Sequence, residues 1–257
     1  MSVTVLKVGG SVLTDKRRSS TARPEQIARI AREIGEGVGS AGLVLVHGAG
    51  SFGHHQAKEY GLKDGLNARS IRGILPTHRA VCALNDMIVT ALYDNGVYAA
   101  PVHPLSLCTL KDGRIDHLCT AVVEQMLASG IVPVLHGDVA VDRGRGIDVL
   151  SGDQLVVRLA GELHAGRVGI GTNVDGVYAK DFKIIREITP ATLGAFEEAL
   201  SGSGGVDVTG GMYGKVMELA GLAASGIPSL VFNAERPGNV ARFLRDEGCE
   251  GTLIRGD

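Results

Sequence analysis

Three glycine-rich turns in this sequence adjoin side chains that could neutralise a phosphate group. Residues 5–16 read VLKVGGSVLTDK, residues 46–54 read VHGAGSFGH, and residues 207–216 read DVTGGMYGKV. Glycine has no Cβ, so its backbone N–H can approach a phosphate closely, while lysine and histidine side chains supply positive charge. The three turns therefore predict a phosphate site assembled from segments that lie far apart in the sequence.

Lys7 is the first of these cations, and it interrupts an apolar run. A buried ammonium group is costly unless it meets an anion. An exposed lysine on an edge strand is the alternative, which we disfavour because the flanking Val5, Leu6 and Val8 indicate a central strand.

Lys215 follows Gly214 at the predicted start of a helix, where the N-terminus attracts anions. The segment is not a P-loop, because only three residues separate Gly210 from the Gly-Lys pair and a valine follows the lysine. An ordinary capped helix with a surface lysine is the alternative interpretation.

The spacing of Gly48, Gly50 and Gly53 matches the G-x-G-x-x-G fingerprint of dinucleotide-binding folds. That fingerprint also needs an acidic residue about 20 positions further on, and residues 68–80 (ARSIRGILPTHRA) contain none. We therefore reject the dinucleotide interpretation. The motif alone is weak evidence for a phosphate-binding loop, and the alternative is a glycine turn that binds no ligand.

The composition excludes several classes of protein. The 257 residues carry a net charge of -2, so no basic field predicts nucleic acid or a membrane as a partner. Four scattered cysteines form no C-x-x-C pair, which favours reduced thiols over a disulfide framework or a zinc site, and we predict no metal held by protein side chains. No signal-peptide pattern and no apolar run of roughly 18 residues is present. We expect a cytoplasmic protein.

Apolar, β-branched runs alternate with segments of helical period. The predicted strands cover residues 3–8, 43–46, 97–102, 131–135, 168–170, 229–232 and 252–254. The predicted helices cover residues 24–38, 77–94, 118–128, 152–163, 189–200 and 212–224. This alternation predicts an α/β fold, a three-layer αβα sandwich with a largely parallel central sheet.

Two segments depart from the alternation, and each predicts a hairpin. Residues 107–115 contain an Asp-Gly turn, and residues 139–149 have Asp, Arg and Gly at their centre. Residues 201–205 (SGSGG) predict a flexible loop. We expect a single domain, 1–257, with two lobes, 1–150 and 151–257.

The order of the motifs resembles the amino acid kinase superfamily and, within it, the isopentenyl phosphate kinase family. The resemblance rests on the three glycine-rich turns together with LSGDQL at residues 150–155 and TNVDGVY at residues 172–178, and it extends to the terminal GTLI. The sequence departs from the family pattern at Ala49, at Asn173, and in YAKDFK, which lacks the familiar Asp-Pro.

The resemblance implies that ATP donates its γ-phosphoryl group to isopentenyl phosphate, with Mg²⁺ bridging donor oxygens. In that mechanism Lys7, Lys16 and Lys215 surround the transferred group and His54 binds the acceptor's phosphate. Asp153 holds the lysines, although a carboxylate that merely complements a helix N-terminus is the alternative. The resemblance also implies a homodimer.

The remaining predicted ligand contacts divide between acceptor and nucleotide. The acceptor's phosphate is expected to contact Gly48, Ala49, Gly50, Gly53 and Gly152 besides His54. The nucleotide is expected to contact Lys7, Gly9, Gly10, Ser11, Thr172, Asn173, Asp175, Gly176, Tyr178, Lys180, Gly211 and Lys215. Ile147 and one helix are the candidate walls for the prenyl tail, and the helix residues are Ala80, Val81, Leu84, Met87 and Ile88. The alternative is that this apolar helix stripe belongs to the core.

Two other functions fit the same motifs. One is a kinase of the same superfamily that acts on another small phosphate or phosphonate, such as fosfomycin. The other is a nucleotide-binding sensor without transfer activity, which the complete set of Lys7, Lys16, Asp153 and Lys215 disfavours.

Overall fold

A computed structural model of the chain describes residues 2–39, 42–179, 181–194 and 208–257. The strands are β1 (Val3–Val8), β2 (Gly42–His47), β3 (Ala99–Pro101), β4 (Cys108–Lys111), β5 (Arg114–Leu118), β6 (Val132–His136), β7 (Asp138–Asp142), β8 (Gly146–Leu150), β9 (Arg167–Thr172), β10 (Glu187–Ile188), β11 (Ser229–Asn233) and β12 (Gly251–Ile254). The helices are α1 (Gly10–Leu13), α2 (Pro24–Gly37), α3 (Gly50–Tyr60), α4 (Ile74–Asp94), α5 (Ala121–Ala128), α6 (Gly152–Glu162), α7 (Val208–Ala224) and α8 (Asn239–Arg245). Residues 190–194 are also helical.

The main sheet has eight strands in the order β10-β12-β11-β9-β1-β2-β6-β3. β1 lies near its centre and pairs in parallel with β2 and β9, and all the other pairings are parallel except β11 with β12. The largely parallel central sheet predicted from the sequence is therefore confirmed, and Lys7 lies in a central strand, as the apolar flanks indicated.

Helices cover both faces of this sheet. On one face α2, α4 and α8 pack against the sheet through side chains such as Ile30, Leu84 and Phe243. On the other face α5, α6 and α7 pack through side chains such as Leu155 and Leu219. This arrangement confirms the predicted three-layer sandwich.

The two predicted hairpins are confirmed, and they combine into a second sheet. This sheet has the order β5-β4-β7-β8, with antiparallel pairing within each hairpin and parallel pairing of β4 with β7. The hairpins therefore do not extend the main sheet but stand beside it, next to the start of α6. The predicted loop at residues 201–205 lies outside the described residues, as do residues 195–200 of one predicted helix.

The carboxyl ends of the parallel strands bring the motif loops together. Gly9 and Gly10 follow β1, Gly48 and Gly50 follow β2, and Asn173 follows β9. Open parallel sheets bind ligands at this edge, because the loops diverge there to either face. No helix among the described segments combines the length and apolarity needed to cross a bilayer.

Candidate active site

A cleft of about 1230 Å³ opens at the carboxyl edge of the main sheet. Most residues predicted to bind phosphate line it: Lys7, Gly9, Gly10, Ser11, Lys16, Gly48, Ala49, Gly50, Gly53, His54, Gly152, Asp153, Thr172, Asn173 and Lys215. Segments more than 200 residues apart in the sequence thus meet around one space, as the three glycine-rich turns predicted.

Asp153 joins two lysines at the centre of the cleft. Its Oδ1 lies 2.6 Å from Lys7 Nζ, and its Oδ2 lies 3.0 Å from Lys215 Nζ. Asp153 is placed by the first turn of α6, where the Ser151 side chain caps the helix by accepting a hydrogen bond from the Asp153 N–H at 3.1 Å. The carboxylate therefore does more than complement a helix N-terminus, because it fixes two ammonium groups relative to each other.

Burial and neighbouring opposite charges have opposing effects on the pKa values of Lys7 and Asp153. Burial lowers the pKa of Lys7, which is 6% exposed, while the Asp153 carboxylate works to raise it. Burial alone would raise the pKa of Asp153, but the ammonium groups of Lys7 and Lys215 hold that pKa below its usual value. Lys7 is therefore a desolvated cation. It shares the Asp153 carboxylate with Lys215, so this carboxylate neutralises its positive charge only in part.

The glycines after β1 and β2 allow the two loops to contact each other through backbone. A Cβ on Gly10 would lie 2.4 Å from Gly50 N, and a Cβ on Gly48 would lie 2.5 Å from Gly10 N. Gly50 also has a φ of +53°. The glycines therefore set the distance between the loops in addition to leaving room for a ligand.

Some of these glycines already donate their amides within the protein. The N–H of Gly9 donates to Gly171 O at 2.8 Å, that of Gly48 to Val8 O at 3.0 Å, and that of Gly53 to Ala49 O at 3.2 Å. The amides of Gly10, Ala49 and Gly50 are therefore the better candidates for phosphate, and they remain a proposal.

His54 lies in the second turn of α3 and lines the cleft, and its side chain is exposed. Partial enclosure by the cleft lowers its pKa, and the nearby cations, of which Lys63 is the strongest, lower it further. Lys16 is exposed and also lines the cleft. The part of the cleft near His54 thus carries positive charge from Lys16 and Lys63.

His47, at the other end of the motif, is a buried neutral residue. Its Nδ1 lies 3.1 Å from Gly48 O, its Nε2 accepts from Asn85 Nδ2 at 3.0 Å, and burial lowers its pKa to about 4.

Sequence reasoning missed further polar groups in the cleft: Lys58, Lys63, Arg145, Asp138 and Asp148. Arg145 Nη1 donates to Asp148 Oδ2 at 2.6 Å and its Nη2 donates to Lys63 O at 2.6 Å, which connects β8 to the turn after α3. Lys58 and Lys63 follow the GSFGH motif within ten residues, and this proximity was the signal that could have identified them.

The nucleotide side is only partly assembled from the predicted residues. Ser11 Oγ donates to Asn173 Oδ1 at 3.2 Å, which connects the β1 and β9 loops in the cleft. Asp175 instead accepts from Asn233 Nδ2 at 2.8 Å and from Arg236 Nη2 at 2.7 Å, away from the cleft lining.

Two other predicted residues do not line the cleft. Tyr178 donates to Asp175 at 3.4 Å, and a Cβ on Gly176 would lie 2.7 Å from Thr252 Oγ1, so both lie in the packing behind the β9 loop. Gly211 lies within α7, and Lys180 lies outside the described residues.

Of the residues predicted for the prenyl tail, Val81 lines the cleft, whereas Met87 and Ile147 do not. Met87 is 46% exposed on α4, and Ile147 is buried against Leu62 and Val139. Other apolar side chains in the lining are Ala57, Val149 and Leu150.

Comparisons with known proteins agree with this geometry. The model of the amino acid kinase family matches residues 2–233. The chain is 44% identical to an isopentenyl phosphate kinase of Haloferax volcanii, with 100% of both chains covered, and 39% identical to one of Methanothermobacter thermautotrophicus, with 98% of both covered. A solved isopentenyl phosphate kinase structure superposes with a TM-score of 0.86 at 35% identity, covering 98% of this chain and 100% of the other. The chain therefore belongs to the amino acid kinase family, and within it to the group that contains the isopentenyl phosphate kinases.

Proposed function

We propose that this protein transfers the γ-phosphoryl group of ATP to the phosphate of isopentenyl phosphate, giving isopentenyl diphosphate and ADP. The observation that carries the proposal is the pair of ammonium groups, Lys7 and Lys215, held on one carboxylate where the glycine loops meet. The full-length similarity to isopentenyl phosphate kinases supports the choice of acceptor.

The chief obstacle to this reaction is repulsion between two anionic reactants. Two unit charges 4 Å apart interact by about 4 kcal/mol at an effective dielectric constant near 20, and each phosphate carries more than one charge. A phosphomonoester has its second pKa near 6, so at neutral pH its oxygen attacks without a general base. Catalysis then consists of positioning and charge neutralisation, which cations and backbone amides supply.

The bond changes assign a place to each cation. An acceptor oxygen forms a bond to the γ-phosphorus while the bond from that phosphorus to the β–γ bridging oxygen breaks, and ADP leaves. We place Lys7 and Lys215 beside the transferred group, with Asp153 holding both. Lys16 and His54 bind the acceptor's phosphate, and Lys63 adds positive charge there.

Mg²⁺ is proposed to arrive with ATP. Both oxygens of Asp153 are engaged by ammonium groups, so this carboxylate is a positioning group and not a ligand of the ion. Mg²⁺ commonly keeps several waters and binds through substrate phosphates, and it neutralises charge on the donor oxygens. An ion bound through substrate phosphates does not need the Asp153 carboxylate as a ligand, which fits a cleft in which this carboxylate is already paired with two lysines.

The apolar side chains on the acceptor side receive the prenyl tail in this proposal. Ala57 lies on α3, the helix of His54, Val81 lies on α4, and Val149 and Leu150 lie on β8 of the second sheet. The tail therefore lies between α3, α4 and β8, and we propose these residues in place of Met87 and Ile147. We also propose that the protein acts as a homodimer in the cytoplasm, which sedimentation and cell fractionation would test.

An ADP-release assay with ATP, Mg²⁺ and a set of acceptors tests the function. Isopentenyl phosphate should give the highest kcat/KM among isopentenyl phosphate, dimethylallyl phosphate, geranyl phosphate, fosfomycin and UMP. Lys7→Ala should lower kcat by about 100- to 1000-fold, the loss seen when a donor to the developing charge is removed. Lys183→Ala, a surface lysine paired with Asp181, is the matched control and should leave kcat unchanged. Faster turnover of fosfomycin or UMP would overturn the assignment, and no turnover of any acceptor would favour a sensor.

A further inference from the structure

A cluster of four histidine and cysteine side chains lies behind the cleft. His78 and Cys82 are one helical turn apart on α4, His103 follows β3, and His136 ends β6. Cys82, His103 and His136 each offer one ligand atom, and these atoms all lie within 4.8 Å of one another. No step of the proposed phosphoryl transfer uses any of these residues.

The distances from Cys82 to two of the imidazoles are those between ligands of a tetrahedral ion. Zn–N bonds of about 2.0 Å and Zn–S bonds of about 2.3 Å place neighbouring tetrahedral ligands about 3.3 to 3.6 Å apart. Cys82 Sγ lies 3.5 Å from His103 Nδ1 and 3.4 Å from His78 Nε2. His103 Nδ1 lies 3.0 Å from His136 Nε2, so a small separation of these two rings admits the ion.

Hydrogen bonds behind the cluster orient two of the imidazoles. His78 Nδ1 lies 2.7 Å from Asp138 Oδ2, and His136 Nδ1 lies 3.2 Å from Gly137 O. When each Nδ1–H donates to its oxygen, the Nε2 atoms of both rings are unprotonated and turned towards the cluster. Carboxylate and carbonyl partners of this kind are characteristic of metal-ligating histidines.

We propose that Cys82, His103 and His136 bind one Zn²⁺ ion and that His78, whose Nε2 lies 3.4 Å from Cys82 Sγ, turns towards the ion as the fourth ligand. A site with one thiolate and three imidazoles matches the borderline-soft character of zinc, and Ca²⁺ and Mg²⁺ prefer oxygen ligands. The ligands come from three segments that are far apart in sequence, which explains why the absence of a C-x-x-C pair led the sequence analysis to predict no metal.

The hydrogen bonds within the cluster determine how many protons are released when the ion binds. Before the ion binds, the Cys82 thiol carries a proton, and His103 Nδ1–H donates to His136 Nε2. On binding, the thiol proton is released to solvent, and the proton of His103 leaves Nδ1 while Nε2 acquires one. One proton is therefore released for each ion bound.

The ion would stabilise the wall of the cleft on which we place the acceptor. Thr77, Val81 and Gly137 line the cleft, and each is the immediate chain neighbour of a proposed ligand. A metal cross-link between α4, β6 and the segment after β3 would thus fix the wall on which we place the prenyl tail.

Zinc titration of the full chain tests the proposal. After chelator treatment and dialysis, the protein is titrated with Zn²⁺ against a chromophoric chelator in the absence of ATP, and bound metal is counted by mass spectrometry. The wild type should bind one ion per chain, and Cys82→Ser and His103→Ala should bind at least about tenfold more weakly. Cys119→Ser and His117→Ala are the matched controls, because neither residue belongs to the cluster, and they should bind as the wild type does.

Cobalt provides a readout that does not depend on the variants folding. Co²⁺ bound by the wild type should give a thiolate-to-cobalt charge-transfer band, and circular dichroism should show that Cys82→Ser is folded but lacks the band. The absence of the band in the wild type would overturn the proposal, as would equal zinc binding by the wild type and Cys82→Ser.

Discussion

Asp153 is the counterion of two lysines of the cleft, Lys7 and Lys215. Burial already lowers the pKa of Lys7, and the Asp153 carboxylate opposes that effect. In Asp153→Asn the opposing charge is lost while Lys215 still repels Lys7, so the pKa of Lys7 should fall further. Since the cation is the active form, activity is present below that pKa and is lost as the pH rises through it.

We therefore expect Asp153→Asn to lower kcat by about 100- to 1000-fold at neutral pH and to recover part of the loss as the pH is lowered. The measurement is kcat against pH for the wild type and the variant. Asp181→Asn, which removes the partner of the surface residue Lys183, should follow the wild-type profile. A parallel loss at every pH would show that Asp153 does not act through the protonation of Lys7.

His54 should titrate according to the cations around it. Enclosure in the cleft lowers its pKa, and Lys63 is the strongest of the neighbouring charges that lower it further. Lys63→Ala should thus raise the pKa of His54, which increases the fraction of imidazolium at a given pH. That cationic form donates to the acceptor's phosphate in our proposal, so its contribution to kcat/KM is lost as the pH rises through the pKa.

The titration of His54 can be followed by NMR in the absence of ligands. An upward shift in Lys63→Ala and no shift in Lys183→Ala are the expected results. An unchanged or lower pKa in Lys63→Ala would remove the electrostatic link between the turn after α3 and this histidine.

At the scale of elements, the close contact between the β1 and β2 loops should make the protein's stability sensitive to a side chain added at this contact. A Cβ at position 10 meets the backbone nitrogen of Gly50 at 2.4 Å, so relief requires a backbone shift. Gly10→Ala should lower the free energy of unfolding by about 1–3 kcal/mol and move the loops that bind phosphate. Thermal unfolding together with kcat would show both effects.

Gly221 supplies the matched control for this substitution. It is exposed within α7, and a Cβ there would meet nothing within 4 Å. Gly221→Ala should raise stability by about 0.5–1 kcal/mol, because alanine loses less backbone entropy in a helix. A Gly10→Ala variant as stable as the wild type would show that the two loops can separate at little cost.

The elements most accurately predicted from the sequence are those with a strong apolar period. α2 and seven of the eight strands of the main sheet fall within a few residues of their predicted bounds, whereas the two-residue β10 was not predicted. α1 has only four residues, and the buried residues of α3 are confined to its first turn, so neither shows the repeat that marks a helix. The joining of two hairpins into a second sheet could not be predicted, because strand pairing across separate hairpins leaves no local pattern.

At the scale of the whole molecule, sequence motifs predicted the centre of the site but not its rim. Lys7, Asp153 and Lys215 meet as the family resemblance implied. Lys63 could have been identified from its closeness to the GSFGH motif, whereas Arg145 escaped prediction because it reaches the cleft only through the placement of a hairpin. The cluster of Cys82, His103 and His136 escaped for the same reason, since its members share no spacing in the sequence.

The net charge of -2 conceals a strongly cationic cleft. Lys7, Lys16, Lys58, Lys63, Arg145 and Lys215 line it, against three buried or paired aspartates and Asp64. A focused positive field raises the rate at which anionic substrates arrive, and salt screens that field over about 10 Å at 0.1 M. The kcat/KM for the acceptor should accordingly fall as ionic strength rises.

The slope of this salt dependence should report the charge at the rim of the cleft. At saturating ATP and Mg²⁺, Lys63→Ala should lower kcat/KM at low salt and show a shallower decline with added salt, because one cation no longer contributes to the field. Lys183→Ala removes an equal charge from a surface ion pair outside the cleft lining and should keep the wild-type slope. If both variants showed the same slope, the acceptor would respond to the overall charge of the protein and not to the focused field of the cleft.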